Sequence, residues 1–277
     1  MKNFQDLQEG LQDPNIFKAF FLAGGPGSGK SYVVRATTGG TGLRIVNSDD
    51  VFEKYLKDAG FDMDMSTVKA EREKEERDKM RDRAKKLTRT RMGDITTGKG
   101  GYLEGRIGLI IDGTGKDYDK IAKQATQLKQ LGYDVHMIFV NTSLDTALER
   151  NAKRERTVPA DVATRAWNEV QRNMGKFSQY FRRNFVVVDN NDAEEDVLTP
   201  VMKQIRGLLK RKVNNPIAKA WIENEMKLRG ITKFRPARNI GMGGQPGAKP
   251  KGGLPGSSGF KVRMGRKRPK TGRFAKK

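Results

Sequence analysis

The sequence predicts an α/β protein, a three-layer sandwich with a parallel sheet, carrying a charged helical insertion and a basic C-terminal tail. Three observations predict it. A glycine-rich loop directly follows a short apolar run, Phe17 to Ala23. Four further short runs rich in Val, Ile or Leu recur along the chain, each bounded by Gly, Asn or Asp. Near-continuous apolar runs of that kind suit strands covered on both faces. Segments compatible with helices lie between them, which is the strand–loop–helix order of a doubly covered sheet.

In chain order, Lys18–Ala23 is the first predicted strand, and Ser31–Thr37 the helix after the glycine loop. Leu43–Asn47, Gly108–Asp112, Asp134–Asn141 and Phe185–Asp189 are the remaining strands. Helices are expected over Tyr118–Leu131, Ser143–Arg154 and Pro159–Arg172, with Gly132 as a C-terminal cap and Thr142 or Ser143 capping the next helix. Residues 1–210 form the expected catalytic domain, interrupted by an insertion over about 53–106. Within it, residues 69–91 alternate Glu and Asp with Lys and Arg and have little apolar stripe. They read either as a helix projecting over the ligand cleft or as a solvated helix with no ligand role. Residues 211–238 are a helical extension, with a helix from Asn215 to Arg229 presenting Ile217, Trp221 and Leu228 on one side. The Gly, Pro, Ser, Lys and Arg of residues 239–277 cannot bury enough apolar surface to order themselves.

The loop Gly24-Gly25-Pro26-Gly27-Ser28-Gly29-Lys30-Ser31 matches G-x-x-x-x-G-K-[ST], the Walker A pattern. Its glycines let backbone N–H groups approach phosphate oxygens that a Cβ would hold off. Gly25 through Ser31 are the expected contacts to ATP. Lys30 supplies a point charge to the β- and γ-phosphates, Ser31 offers its hydroxyl to Mg²⁺, and the following helix points its positive end at the anion.

Carboxylates and arginines fall where they can serve that ligand. The second strand ends in Asn47-Ser48-Asp49-Asp50, at the sheet edge that carries the phosphate loop. A carboxylate there accepts the proton of an attacking hydroxyl or holds Mg²⁺, and the same residues could instead cap the next helix. Asp112-Gly113-Thr114 ends the third strand at that edge, as a substrate or metal contact or as a structural turn. Arg150, Arg154 and Arg156 follow the fourth strand; Arg150 and Arg154, four apart, would share a helix face and clamp a transferring phosphoryl group, or else form a solvated basic helix end. His136, inside an apolar strand, and Trp167 and Trp221 read as packing residues.

Charge is the second strong signal. Lys and Arg number 55 against 33 acidic residues, for a net charge of +22. Residues 226–277 hold sixteen Lys and Arg and no Asp or Glu. A tail of that composition gains affinity for nucleic acid by releasing condensed counterions; it could also serve solubility or partner docking. Cysteine is absent, which excludes disulfides, thiolate catalysis and Cys-based zinc sites. No apolar stretch approaches the ~20 residues that span a bilayer, and a soluble, cytoplasmic location is expected.

Together, Gly24 to Ser31, Asn47-x-Asp49-Asp50, and Arg150-Asn-x-Lys-Arg154 followed by Val158-Pro-x-Asp161-Val resemble the kinase domain of phage polynucleotide 5′-kinases. Asp112-Gly-Thr114 with Gln127-Leu-x-x-Leu-Gly-Tyr-Asp-Val is similar to the zeta-toxin kinases. The resemblance covers about residues 16 to 190. It implies ATP-dependent phosphorylation of a hydroxyl, with Asp49 as general base, Lys30 and Ser31 at the phosphates and metal, and Arg150 and Arg154 in a mobile lid; the residues' own placement adds Asp49 as an Mg²⁺ ligand and Asp50, Asp112 and Thr114 toward the substrate. The polynucleotide kinases carry a basic residue where this chain has Phe52. Acceptors compatible with these motifs are a nucleic acid or nucleotide hydroxyl, with a phage-encoded enzyme acting in the host cytoplasm, or a nucleotide sugar. A non-catalytic, ATP-dependent nucleic-acid-binding or assembly factor is the reading from another class.

Overall fold

A computed structural model describes residues 10–64, 70–191 and 198–233. All of them belong to one unit, residues 1–243. The tail over residues 239–277, expected to lack order, lies outside the described residues.

Five parallel strands, β1 (Lys18–Ala23), β2 (Arg44–Val46), β3 (Leu109–Asp112), β4 (Asp134–Asn141) and β5 (Phe185–Asp189), form one sheet in the order β2-β3-β1-β4-β5. The helices are α1 (Lys30–Thr38), α2 (Ser48–Asp58), α3 (Glu71–Met92), α4 (Gly101–Glu104), α5 (Tyr118–Gln130), α6 (Leu144–Ala152), α7 (Ala160–Phe181), α8 (Leu198–Leu209) and α9 (Pro216–Leu228). Side chains alternate across a strand, so a strand buried on both faces must be apolar at every position. β1 is apolar from Ala19 to Ala23, with the buried Lys18 at its start: Phe20 and Leu22 enter a cluster with Val33 and Val34 of α1 and Ile205 and Leu208 of α8. Ala19, Phe21 and Ala23 enter the opposite cluster, with Leu128 of α5, Phe177 of α7 and Ile222 of α9. The three-layer sandwich follows from that alternation.

Strand boundaries match the sequence expectation to within a residue or so, and helix lengths differ where local chemistry intervenes. Asp117 caps α5, accepting from the Lys120 amide, and Gly132 follows the helix at φ +97°, the left-handed position a C-terminal stop needs. Ser143 caps α6 by accepting from the Thr146 amide. α6 stops at Ala152 rather than Arg154, where Asn151 Nδ2 turns to donate to the Val158 carbonyl at 2.7 Å. α7 runs on past Arg172 to Phe181, because Phe177 and Phe181 continue its buried stripe. α8, for which no helix was expected, buries Val201, Ile205, Leu208 and Leu209.

Two expectations are corrected. The charged helix, α3, does not stand over the cleft: it packs along α2, with Ala84 in a cluster with Phe52, Leu56 and Met63, and no residue of it lines the cavity described below. Its most buried charge, Arg77, lies against the Phe61 ring and is held by Glu73. On α9 the buried positions are Ala218 and Ile222, with Trp221 edge-on to Phe17; Ile217 and Leu228 are 52% and 73% exposed. This helix therefore belongs to the core.

His136 is a core residue, as its apolar strand implied. Its ring stacks on Phe20 with centroids 4.8 Å apart, and Nε2 lies 3.3 Å from the Asp134 oxygen that Lys18 Nζ reaches at 2.8 Å. Burial outweighs the attraction of Asp134 and holds the imidazole below its ordinary pKa. A group whose pKa falls on folding costs stability once the unfolded chain begins to protonate, here below a pH of about 6.5. Unfolding in urea should thus show stability declining from pH 7 to pH 5, and His136→Phe should remove up to about 1.4 kcal/mol per pH unit of that slope. An unchanged slope would place the imidazole's charge elsewhere.

Candidate active site

The carboxyl ends of β1, β2 and β3 and the turn after α6 enclose a cavity of about 710 Å³. Its floor is the glycine loop between β1 and α1. Gly27 and Gly29 sit at φ +78° and +81°, and a Cβ on either would overlap the Ala147 carbonyl oxygen or the Asn190 amide. Only glycine lets the chain fold this tightly against α6 and the end of β5. Asn190 Nδ2 donates to the Ser28 carbonyl at 2.8 Å, and the Gly24 amide donates to the Thr114 carbonyl at 2.9 Å, so loops from two other strands fix the turn.

The loop fits a polyphosphate. The amino end of α1 has neither a side-chain cap nor an acidic residue in its first turn, leaving its amides and dipole for an anion. Ser28 Oγ is buried without a hydrogen-bond partner among the described residues. Lys30 Nζ spends one donor on the Gly24 carbonyl at 2.6 Å and keeps two. Burial lowers the Lys30 pKa, Asp112 and Asp49 pull it back up, and Arg154 lowers it further.

Opposite the loop stand the carboxylates, organised by Asn47. Its Oδ1 accepts from the Asp49 amide at 2.7 Å, capping α2, and its Nδ2 donates to Asp50 at 2.9 Å and to Asp112 at 3.0 Å. Capping and site-building are thus one arrangement: the α2 start that Asp49 or Asp50 could have capped is capped by Asn47, freeing both carboxylates. Asp112, beside Leu22 of β1 in register, has its pKa raised by burial; Lys30 opposes this, and Asp49 and Asp50 reinforce it. Burial, then Glu53 and Asp49, raise the Asp50 pKa, against Arg35 and Arg156. Ser31 and Thr114 also line the cavity.

All three arginines line the cavity, each against different neighbours. α6 ends before Arg154, so a common helix face does not bring Arg150 and Arg154 together. Arg150 donates to the Asn190 and Asn191 carbonyls at 2.5 and 2.9 Å, tying α6 to the end of β5. Arg154 lines the cavity near Lys30. Arg156 lies over the Phe52 ring at 5.3 Å, its guanidinium 3.6 Å from Asp49 and 3.2 Å from Glu53. Asn47, Glu53, Arg156 and Asn190 are site residues to which sequence reasoning assigned no individual role. Only Asn47, an Asn one residue before a helix start, carried a local signal.

A phosphate loop joining strand to helix at the carboxyl edge of this parallel sheet, facing an acidic cluster, defines a P-loop nucleotide-binding protein with a kinase-like fold. Residues 20–177 match the family model described as an AAA domain, and the chain belongs to that family. No curated protein sequence matches it. Among solved structures it is similar to a gluconokinase from Sinorhizobium meliloti 1021 (14% identity, covering 77% of this chain and 98% of that one, TM-score 0.40). It is also similar to a structure from the PezAT chromosomal toxin–antitoxin system of Streptococcus pneumoniae (18%, 76% and 93%, 0.43) and to shikimate kinase from Bacteroides thetaiotaomicron (12%, 70% and 99%, 0.42). No helix among the described residues is long and apolar enough to cross a membrane.

Proposed function

We propose that this protein is an ATP-dependent kinase that transfers the γ-phosphoryl group to a hydroxyl of a nucleic acid or nucleotide. The observation that carries the reading is that Lys30, Asp49 and Asp112 face one cavity, with the glycine loop on one side and Arg154 and Arg156 on the other. Asp49, whose charge acts on Lys30, takes the proton as the acceptor oxygen bonds to the γ-phosphorus; the bond from that phosphorus to the bridging oxygen breaks, and ADP leaves with the electron pair. Lys30 and Arg154 offset charge on the phosphoryl oxygens.

Among the described residues, no group of three or more His, Cys, Asp or Glu is arranged to hold a metal ion. Mg²⁺ usually rests on one or two carboxylates plus phosphate oxygens, so Ser31 with Asp112 or Asp49 would be its protein ligands. When bound it would neutralise phosphate charge.

The basic residues 226–277 support nucleic acid as acceptor. The test is to incubate γ-labelled ATP with a 5′-hydroxyl oligonucleotide, a free nucleotide and a nucleotide sugar. Label should appear on the oligonucleotide. Label confined to the nucleotide sugar would reject a nucleic-acid acceptor. No transfer, with ATP-dependent retention of the oligonucleotide, would make the protein a nucleotide-gated binding factor.

A further inference from the structure

The charge on α3 is segregated along its length. Residues 71–82 carry six acidic and five basic side chains, and four of the five cations are paired locally: Arg72 with Glu76, Lys74 with Glu71, Arg77 with Glu73, Arg81 with Asp78. Residues 83–92 carry five Lys and Arg and no acid. Of these, Lys85 pairs with Asp82, whereas Lys86, Arg89 and Arg91 have no ion-pair partner among the described residues. Cations favour the last turn of any helix because they complement its dipole. That accounts for Arg89 and Arg91 but not for Arg83 and Lys86, which lie further from the end.

Spacing and position give the unpaired charges a direction. The buried side of α3 is marked by Arg77, Ala84, Thr88 and Met92. Arg83, Lys86 and Arg89, three apart in turn, form a stripe on the exposed side. The helix packs along α2, where Arg81 lies over the Phe52 ring at 4.9 Å, the ring that also carries Arg156 of the cavity wall. Its basic half then passes the edge strand β2, whose Arg44 and Ile45 are exposed. The stripe therefore starts where Arg83 lies over the Tyr55 ring of α2 at 5.5 Å, one turn from the Arg81–Phe52 contact, and runs on along the surface past β2.

We propose that the C-terminal half of α3 is a docking surface for the phosphodiester backbone of a nucleic-acid acceptor. This rests on the proposed acceptor class and adds to it a second contact besides the tail. From Arg83 to Arg89 the helix rises about 9 Å, which spans two to three phosphates of an extended strand. The contacts are to charge, so DNA and RNA of one sequence are held alike.

The test uses the full chain, without ATP, and 3′-fluorescein single strands of 20 nucleotides, DNA and RNA, titrated by anisotropy across salt concentrations. Substituting Arg83→Gln, Lys86→Gln and Arg89→Gln together should reduce the magnitude of the slope of log K against log salt by about 2, at roughly 0.7 per lost phosphate contact, weakening binding roughly 50-fold at 0.15 M salt. The matched variant Arg72→Gln, Lys74→Gln, Lys79→Gln removes the same charge from the balanced half and should leave the slope near that of the parent. Equal losses in the two variants, or an unchanged slope in the first, would overturn the proposal and leave that face to another class of partner. Label transfer to a free nucleotide should be unaffected by Arg83→Gln, Lys86→Gln and Arg89→Gln. Docking and chemistry therefore fail separately.

Discussion

Asp49→Asn is expected to lower kcat by about 10²–10⁴-fold while ATP binding and the fold survive, since a positioned general base contributes about that factor. The geometry makes this substitution clean. The Asp49 side chain is 60% exposed, so an amide there leaves no buried group stranded. Arg156, the cation it faces, keeps Glu53 at 3.2 Å and the Phe52 ring beneath it. The Asp49 amide still donates to Asn47, so α2 stays capped. Asp50→Asn is the necessary comparison, because the two carboxylates are sequence neighbours and Asp50 is the one hydrogen-bonded to Asn47. Label transfer from γ-labelled ATP measures the rate, and fluorescent-nucleotide titration measures binding. A full loss in Asp50→Asn with a silent Asp49→Asn would move the base by one residue, and the transfer geometry with it.

What the sequence disclosed depended on how local the cause was. The glycine loop is readable because Gly27 and Gly29 occupy backbone conformations that few other residues adopt, and the strands because burial on both faces demands unbroken apolar runs. Asp49, Asp50 and Asp112 were legible by the same logic, since strand ends at one sheet edge converge wherever the sheet is parallel. The arginines were only half legible. Their place after β4 followed from order along the chain, but Arg150 faces backbone carbonyls 40 residues away and Arg156 rests on an aromatic ring from α2, contacts that no spacing encodes. Phe52 illustrates this. As a letter it is an apolar residue; in space its ring is the platform on which Arg156, from the loop after α6, rests. α3 misled for a related reason. Its weak apolar stripe suggested a helix over the cleft or in solvent, whereas Arg77 is buried with its guanidinium over the Phe61 ring and its charge held by Glu73.

Gly27→Ala should abolish nucleotide binding and destabilise the protein, because two penalties act on one atom. At φ +78° an alanine pays about 1–2 kcal/mol for the left-handed conformation. Its Cβ would also overlap the Ala147 carbonyl oxygen, backbone at the buried start of α6 that no rotamer change can clear, so loop and helix must move apart at a cost of about 1–3 kcal/mol. The combined loss of about 2–5 kcal/mol corresponds to a fall in Tm of roughly 4–20 °C for a domain of this size. Gly25→Ala is the internal control. It lies in the same loop, but its φ is ordinary for an L residue and its Cβ would meet Trp167 Cα at 3.5 Å, a normal contact, so Tm should change by no more than about 2 °C. Calorimetry of the two proteins without ligand separates shape from phosphate chemistry, because the predicted difference arises before any nucleotide is present. If both variants melted with the parent, the tight seating of the loop on α6 would be wrong, and with it the way the cavity holds Lys30 across from Asp49.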